Sequence, residues 1–257
     1  MMISSIDKVI VNDKLGLAAA GVFSIATYFG SMIQIPARSI IRITASVISE
    51  SWKKNDLENI RNIYRQSCLN QLIIGLFLLI ALWVNIDSLL ALMPPEYSIA
   101  KYVILFMGIG YLIDLATGAN GAIIGTSVYY RYDTLFMVLL VVFTFVTNLW
   151  LIPIYGIVGS GIASCLTYLL FNALRLAFIQ IKFDMQPYSV AFLKVLGVGA
   201  ISYAVGISLP ATGMHYLDIA MRGTVITILY GVLIVAFNIS PEVSVLVQKT
   251  LQGMKRK

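Results

Sequence analysis

The side chains best suited to chemistry in this sequence are an aspartate and a pair of arginines set among apolar residues. Asp114 carries the only charge between Tyr102 and Tyr130. An ionisable group at such a place is costly in lipid. It serves as a proton or cation site, as a partner for a cationic side chain, or as a structural hydrogen bond between helices. Arg38 and Arg42 stand four apart and share one helix face. They follow Pro36, which can bend a helix. A guanidinium fits phosphate through its planar donor fork, so the pair reads as the lining of an aqueous cavity or as a helix end reaching the headgroups. Asn120 is placed to contact a ligand or to bond across helices. Gly118, Gly121 and Gly125 form a small-residue surface, suited to close helix packing or to a flexible gate. Arg131 sits among Tyr129, Tyr130 and Tyr132, where an interfacial aromatic belt is expected, and joins the candidates for substrate contact.

Other chemistries lack their residues. The one histidine, His215, has no cysteine or carboxylate cluster at metal-ligand spacing. No serine has a plausible base, and no Gly-x-x-x-x-Gly-Lys loop is present to hold a nucleotide. The acidic residues are scattered, without a pair for glycosyl transfer. The expectation is a protein that is not an enzyme and binds no cofactor. Cys68 and Cys165 read as small apolar packing residues.

The elements that must hold these side chains are membrane helices. Hydrophobic residues make up 59% of the chain and charged residues 12%, about half the charged share of a soluble domain. Thr134 to Leu174 has no charge at all. A crossing needs about 20 apolar residues, so this run holds two. Pro153 and the glycines 156, 159 and 161 are expected to break it. Leu15–Ala37, Gln66–Ile86, Tyr102–Tyr130, Val195–Leu217 and Gly223–Pro241 supply the others. The fold expected is all-α, a polytopic membrane bundle of about seven transmembrane helices, with residues 1–257 as one membrane domain. Asn55-Asp56 is a cap for the second helix. Residues 241–257 space Val243, Leu246, Val247, Leu251 and Met254 along one face, as an amphipathic helix on the cytoplasmic leaflet would.

The net charge of +6 reads as topology rather than nucleic-acid binding. Lys53, Lys54, Arg61, Arg65, Arg131, Arg175, Lys182, Lys194 and the final lysines fall on alternate connections. Lys8, Lys14, Lys101 and Arg222 fall on the others. Cationic bias marks the cytoplasmic side, which places the N-terminus outside and the C-terminus in the cytoplasm. Met1–Leu15 has no basic leader, and an exported start without one suggests a missing upstream segment.

Three segments together resemble the C-terminal half of bacterial oligosaccharide flippases of the MOP superfamily, relatives of MATE transporters. They are Gly21-Val-Phe-Ser-Ile-Ala through Pro36, with Phe23 where the family has tyrosine; Asp114-Leu-Ala-Thr-Gly-Ala-Asn-Gly121 with Tyr129–Asp133; and Leu151-Ile-Pro-Ile-Tyr-Gly-Ile-Val-Gly-Ser-Gly-Ile-Ala163, with Ser160 where the family has alanine. The resemblance covers nearly the whole chain. It implies a MATE-like C-terminal lobe plus two extra spans, lacking the N-terminal lobe. The implied activity is the flipping of an undecaprenyl-diphosphate-linked oligosaccharide, such as an O-antigen unit, across the bacterial inner membrane. Alternating access would be coupled to a proton or sodium gradient. Arg38, Arg42, Asp114, Asn120 and Arg131 would then contact substrate. Pro36, Gly118, Gly121, Pro153 and Gly156 would act as hinges or gates. A MATE-type drug or metabolite exporter is the alternative within that superfamily, and a membrane polymerase or glycosyltransferase the alternative outside it.

Overall fold

The structure, a computed structural model, describes residues 2–240, without the side chains of residues 2–4 and 37–39. Among them are eleven α-helices and no strand. The helices are α1 Met2–Leu15, α2 Leu17–Ser31, α3 Ile35–Lys53, α4 Leu57–Val84, α5 Ile86–Ala91, α6 Ala100–Ala116, α7 Asn120–Gly125, α8 Tyr130–Tyr155, α9 Ile157–Phe183, α10 Val190–Ser208 and α11 His215–Ala236. Seven segments are long and apolar enough to cross a membrane: Leu17–Gln34, Pro95–Ala116, and the helices α4, α8, α9, α10 and α11. Lipid offers no hydrogen bonds, and helices satisfy their own backbone groups. Residues 241–257, read from sequence as an amphipathic tail, lie outside the described residues.

The uncharged run from Thr134 to Leu174 does divide into two helices, and Gly156 makes the break. Its φ of 59° and ψ of −139° suit a residue without a Cβ. The other three expected breakers have different roles. Pro153 lies inside the last turn of α8. Gly159 gives room to the Leu151 carbonyl, which a Cβ would meet at 2.2 Å, and Gly161 lies against Val103 of α6. Two further expected spans are shorter than the apolar runs that announced them. Val195–Leu217 stops at Ser208, because Leu209 precedes Pro210 and takes extended backbone. Tyr102–Tyr130 stops at Ala116. The chain turns at Gly118 (φ 59°) and forms the short α7 before α8 begins.

The centre of the bundle is the crossing of α6 and α9, flanked by α2, α4 and α8. Small residues let the two backbones approach: a Cβ on Gly110 would lie 3.1 Å from Cys165 Cα, and one on Gly161 3.0 Å from Val103 Cα. Ile104, Met107, Tyr111, Phe23 and Ile152 fill the space around them. On the far side of α4, helices α10 and α11 pack Val195, Val198, Ile226 and Ile234 against Leu72, Ile73 and Ile80, and the Tyr230 hydroxyl donates to the Ile73 carbonyl at 2.9 Å. Ile201, Ile228 and Val232 are exposed on the outer faces, an arrangement suited to lipid rather than water. Asp56 caps α4 as expected, its side chain accepting from the Asn59 amide at 3.0 Å.

Candidate functional site

Pro36 begins the construction of the site. Having no N–H, it cannot bond to the carbonyl four residues back, and the Met32 carbonyl takes the Ile35 amide instead. The result is a 3-10 turn, Met32–Gln34, between α2 and α3. A tight turn of this kind inside a long helix often marks a hinge. Here it delivers Gln34, whose Nε2 donates to Asp114 Oδ2 at 3.1 Å.

Asp114 is in the last turn of α6, two residues from its end, not deep within a span as the uncharged run implied. Its other oxygen accepts from Asn172 Nδ2 at 3.1 Å. Asn172 is fully buried on α9 and uses its whole capacity. Its second N–H donates to the Tyr168 carbonyl at 3.0 Å, and its Oδ1 faces Asn120 Nδ2 at 2.9 Å and the Thr117 hydroxyl at 2.7 Å. Asn120 Oδ1 in turn faces Arg175 Nη1 at 3.4 Å. Arg175 closes the chain with a short ion pair to Asp133 and lies 4.2 Å from the Phe171 ring centre. Two carboxylates and one guanidinium thus share the network. The guanidinium is bonded to Asp133, while the side chains hydrogen-bonded to Asp114 among the described residues are the neutral amides of Gln34 and Asn172.

A second buried carboxylate lies nearer the other end of α9. Asp7 on α1 is wholly buried and accepts from Asn148 Nδ2 and Ser164 Oγ, each at 2.7 Å. Helix α1 is not among the spans; it packs on α2, α8 and α9. Burial pushes the Asp7 carboxyl up to about 7, against the lowering effect of its two hydrogen bonds. Ser164 and Asn172 are about 12 Å apart along the helix at 1.5 Å per residue. Tyr168 lies between them, its ring centre 5.3 Å from that of Tyr111 on α6.

The sequence-derived candidates do not all gather here. Asp114 and Asn120 meet in one network. Gly118 and Gly121 serve it by lacking side chains: a Cβ on Gly118 would meet Ser67 Oγ and Cys68 Sγ at 2.7 Å, and one on Gly121 would meet Arg175 Nη1 at 2.8 Å. The Gly121-x-x-x-Gly125 surface therefore accommodates Arg175 and Asp133 rather than a helix backbone. Pro36 acts through Gln34. Arg42 is exposed on α3, and the Arg38 side chain is not among those described. Arg131 is exposed, 6.0 Å from the Tyr130 ring centre. Tyr129 and Tyr132 pack on Phe178. Pro153 and Gly156 lie at the opposite end of α8 from Arg131.

Gln34, Asp133, Asn172, Arg175 and Asp7 were not singled out from sequence. The charge pattern places Arg175 on a connection between spans; instead it is buried inside the bundle. A signal for it existed. Ser164, Tyr168, Asn172 and Arg175 recur at spacings of four, four and three, a polar stripe on an otherwise apolar helix. The chain is a multi-pass integral membrane protein with a buried polar network at its core. Comparison with protein-family models, known proteins and solved structures finds no match.

Proposed function

We propose that this chain is the C-terminal bundle of a transporter that flips an undecaprenyl-diphosphate-linked oligosaccharide across a bacterial inner membrane, working with a second bundle. The observation that carries the reading is Asp114: a carboxylate among the spans, touched by the neutral amides of Gln34 and Asn172, beside the 3-10 turn between α2 and α3. Among the described residues no ion pair holds Asp114, so such a group can take up a proton or small cation against its amide partners, and it offers an ion gradient something to act on. Its Gln34 partner stands in that turn, so a change of charge on Asp114 reaches the segment that carries Arg42. Arg42 is exposed and free to meet a diphosphate. The three sequence segments that resemble oligosaccharide flippases support the substrate class. The cationic bias of the connections supports an external N-terminus.

The test uses liposomes containing a fluorescent polyprenyl-diphosphate sugar. The chain together with an upstream bundle expressed separately should translocate it, and the chain alone should not exceed empty liposomes. Asp114→Asn should lower the rate at least tenfold while the melting temperature is kept. Equal rates for Asp114→Asn and wild type would overturn the role of Asp114. Dye efflux without sugar translocation would replace this reading by that of a MATE-type exporter.

A further inference from the structure

At the end of the bundle where α4 and α10 stop and α6 begins, a cavity of about 340 Å³ opens to the surface. Its walls include Trp83, Asp87, Lys101, Tyr203, Ile207 and Arg222. Arg222 comes from α11 and is held in place by two carbonyls. Its Nη1 donates to Val84 at 3.4 Å and its Nη2 to Leu209 at 3.1 Å, at the ends of α4 and α10. That fixes the guanidinium while using two of its five N–H donors. Lys101 pairs with Asp87, and its ammonium lies 5.7 Å from the Trp83 ring centre. The Asp87 side chain is 75% exposed, so its hold on Lys101 is that of a surface ion pair and yields readily to another anion. Among the residues that line the cavity, two cations face one carboxylate; Asp218, one turn from Arg222 on α11, is engaged by the Thr212 amide and hydroxyl. Trp83 and Tyr203 present amphipathic rings at the level where apolar spans meet polar turns, the position of lipid headgroups.

We infer that this cavity binds a phosphate group, carried by a lipid headgroup lying against the bundle. Lys101 and Arg222 take the phosphate oxygens, and Trp83 and Tyr203 flank the glycerol. The same chemistry accepts free phosphate, so the two sources are separated by experiment. No residue of the Asp114 network takes part, and the inference stands apart from the transport reading.

With Trp52→Phe and Trp150→Phe, Trp83 becomes the sole tryptophan and a reporter of the cavity. The purified chain in detergent is titrated with short-chain phosphatidylglycerol, with diacylglycerol of the same chain length, and with inorganic phosphate. Phosphatidylglycerol should saturate the Trp83 emission shift at a concentration at least tenfold below diacylglycerol. Arg222→Gln and Lys101→Gln should each remove most of that preference. Because Arg222 also caps two helices, Lys101→Gln is the deciding variant, and its melting temperature should match the parent. Equal response to the two lipids, or an undiminished preference in Lys101→Gln, would overturn the proposal. Saturable binding of inorganic phosphate in preference to the lipid would keep the phosphate and overturn the headgroup.

Discussion

Arg175 keeps 7% of its side chain exposed and Asp133 keeps 24%. Removing one partner of a buried pair leaves the other charge uncompensated, at a cost of about 3–5 kcal/mol, and the partial exposure of Asp133 places this case near about 3 kcal/mol. Arg175→Gln should therefore lower the melting temperature sharply, and the double variant Arg175→Gln/Asp133→Asn should recover most of it. A double variant as unstable as the single one would show that packing on Phe171, not charge, is what Arg175 supplies. Asp7 makes the opposite kind of prediction. Its carboxyl is raised from 3.8 to about 7 in the folded chain, so the folded state holds the proton more tightly than the unfolded one. Stability then falls as pH rises from about 4 to about 7, and the loss is complete above that range. Melting curves in detergent should decline over this window. Asp7→Asn should flatten the decline and melt higher than wild type at pH 8. The same slope in the variant would assign the pH dependence elsewhere. Asp7 did not stand out in the sequence, because it lies in a segment with other charged residues, Lys8 and Asp13, until helices close over it.

At the scale of elements, two glycines with nearly the same φ predict different outcomes. Gly156, between α8 and α9, has open space where a Cβ would go; Gly118, between α6 and α7, would press a Cβ within 2.8 Å of the Cys68 backbone nitrogen. Gly156→Ala should cost only backbone strain, about 1–2 kcal/mol. Gly118→Ala should add overpacking of about 1–3 kcal/mol, and it should displace Asn120 from Asn172. Denaturation by sodium dodecyl sulfate, followed by circular dichroism, ranks the two. A Gly156→Ala variant as damaged as Gly118→Ala would contradict the distinction. The seven spans were legible as helices, because long apolar runs admit little else in lipid, whereas the helices α1, α5 and α7 carried no such signal. Element ends were less so. Uncharged runs continue across the turn at Thr117–Ala119 and across Leu209-Pro210, since turns at the membrane edge need no charge. Pro36 was legible as an irregularity in its helix, but the residue that the 3-10 turn before it presents, Gln34, was not.

For the whole molecule, the charge distribution predicts orientation. A reporter active only in the cytoplasm should work when fused after Lys257 and be silent when fused within residues 85–97. The cationic excess on the connections that include Lys53–Arg65 and Arg175–Lys194 argues for this arrangement. The reverse pattern would overturn it, and with it the correspondence to the C-terminal half of a flippase. The structure adds that some of these cations are not free. Arg61 and Arg65 donate to the Asp184 and Gln186 carbonyls, each at 3.2 Å, tying the α9–α10 connection to the start of α4. Arg175 is inside the bundle.

Composition and the length of the uncharged runs were enough to determine a polytopic helical membrane protein with seven crossings, since hydropathy and span length are properties of consecutive residues. Asp114 and Asn120 could also be chosen in advance, because polar groups in apolar helices carry a cost that demands a partner. Which partner depends on residues far apart in the chain. Asp114 meets Gln34 and Asn172, Asn120 meets Arg175, and Asp7 meets Asn148 and Ser164. Those pairings follow from how α6, α7 and α1 lie against α9, and from the small residues that let them approach. Helix order and crossing are not written in any local pattern, so the network, the burial of Arg175 and the cavity around Arg222 were decided by the tertiary structure alone.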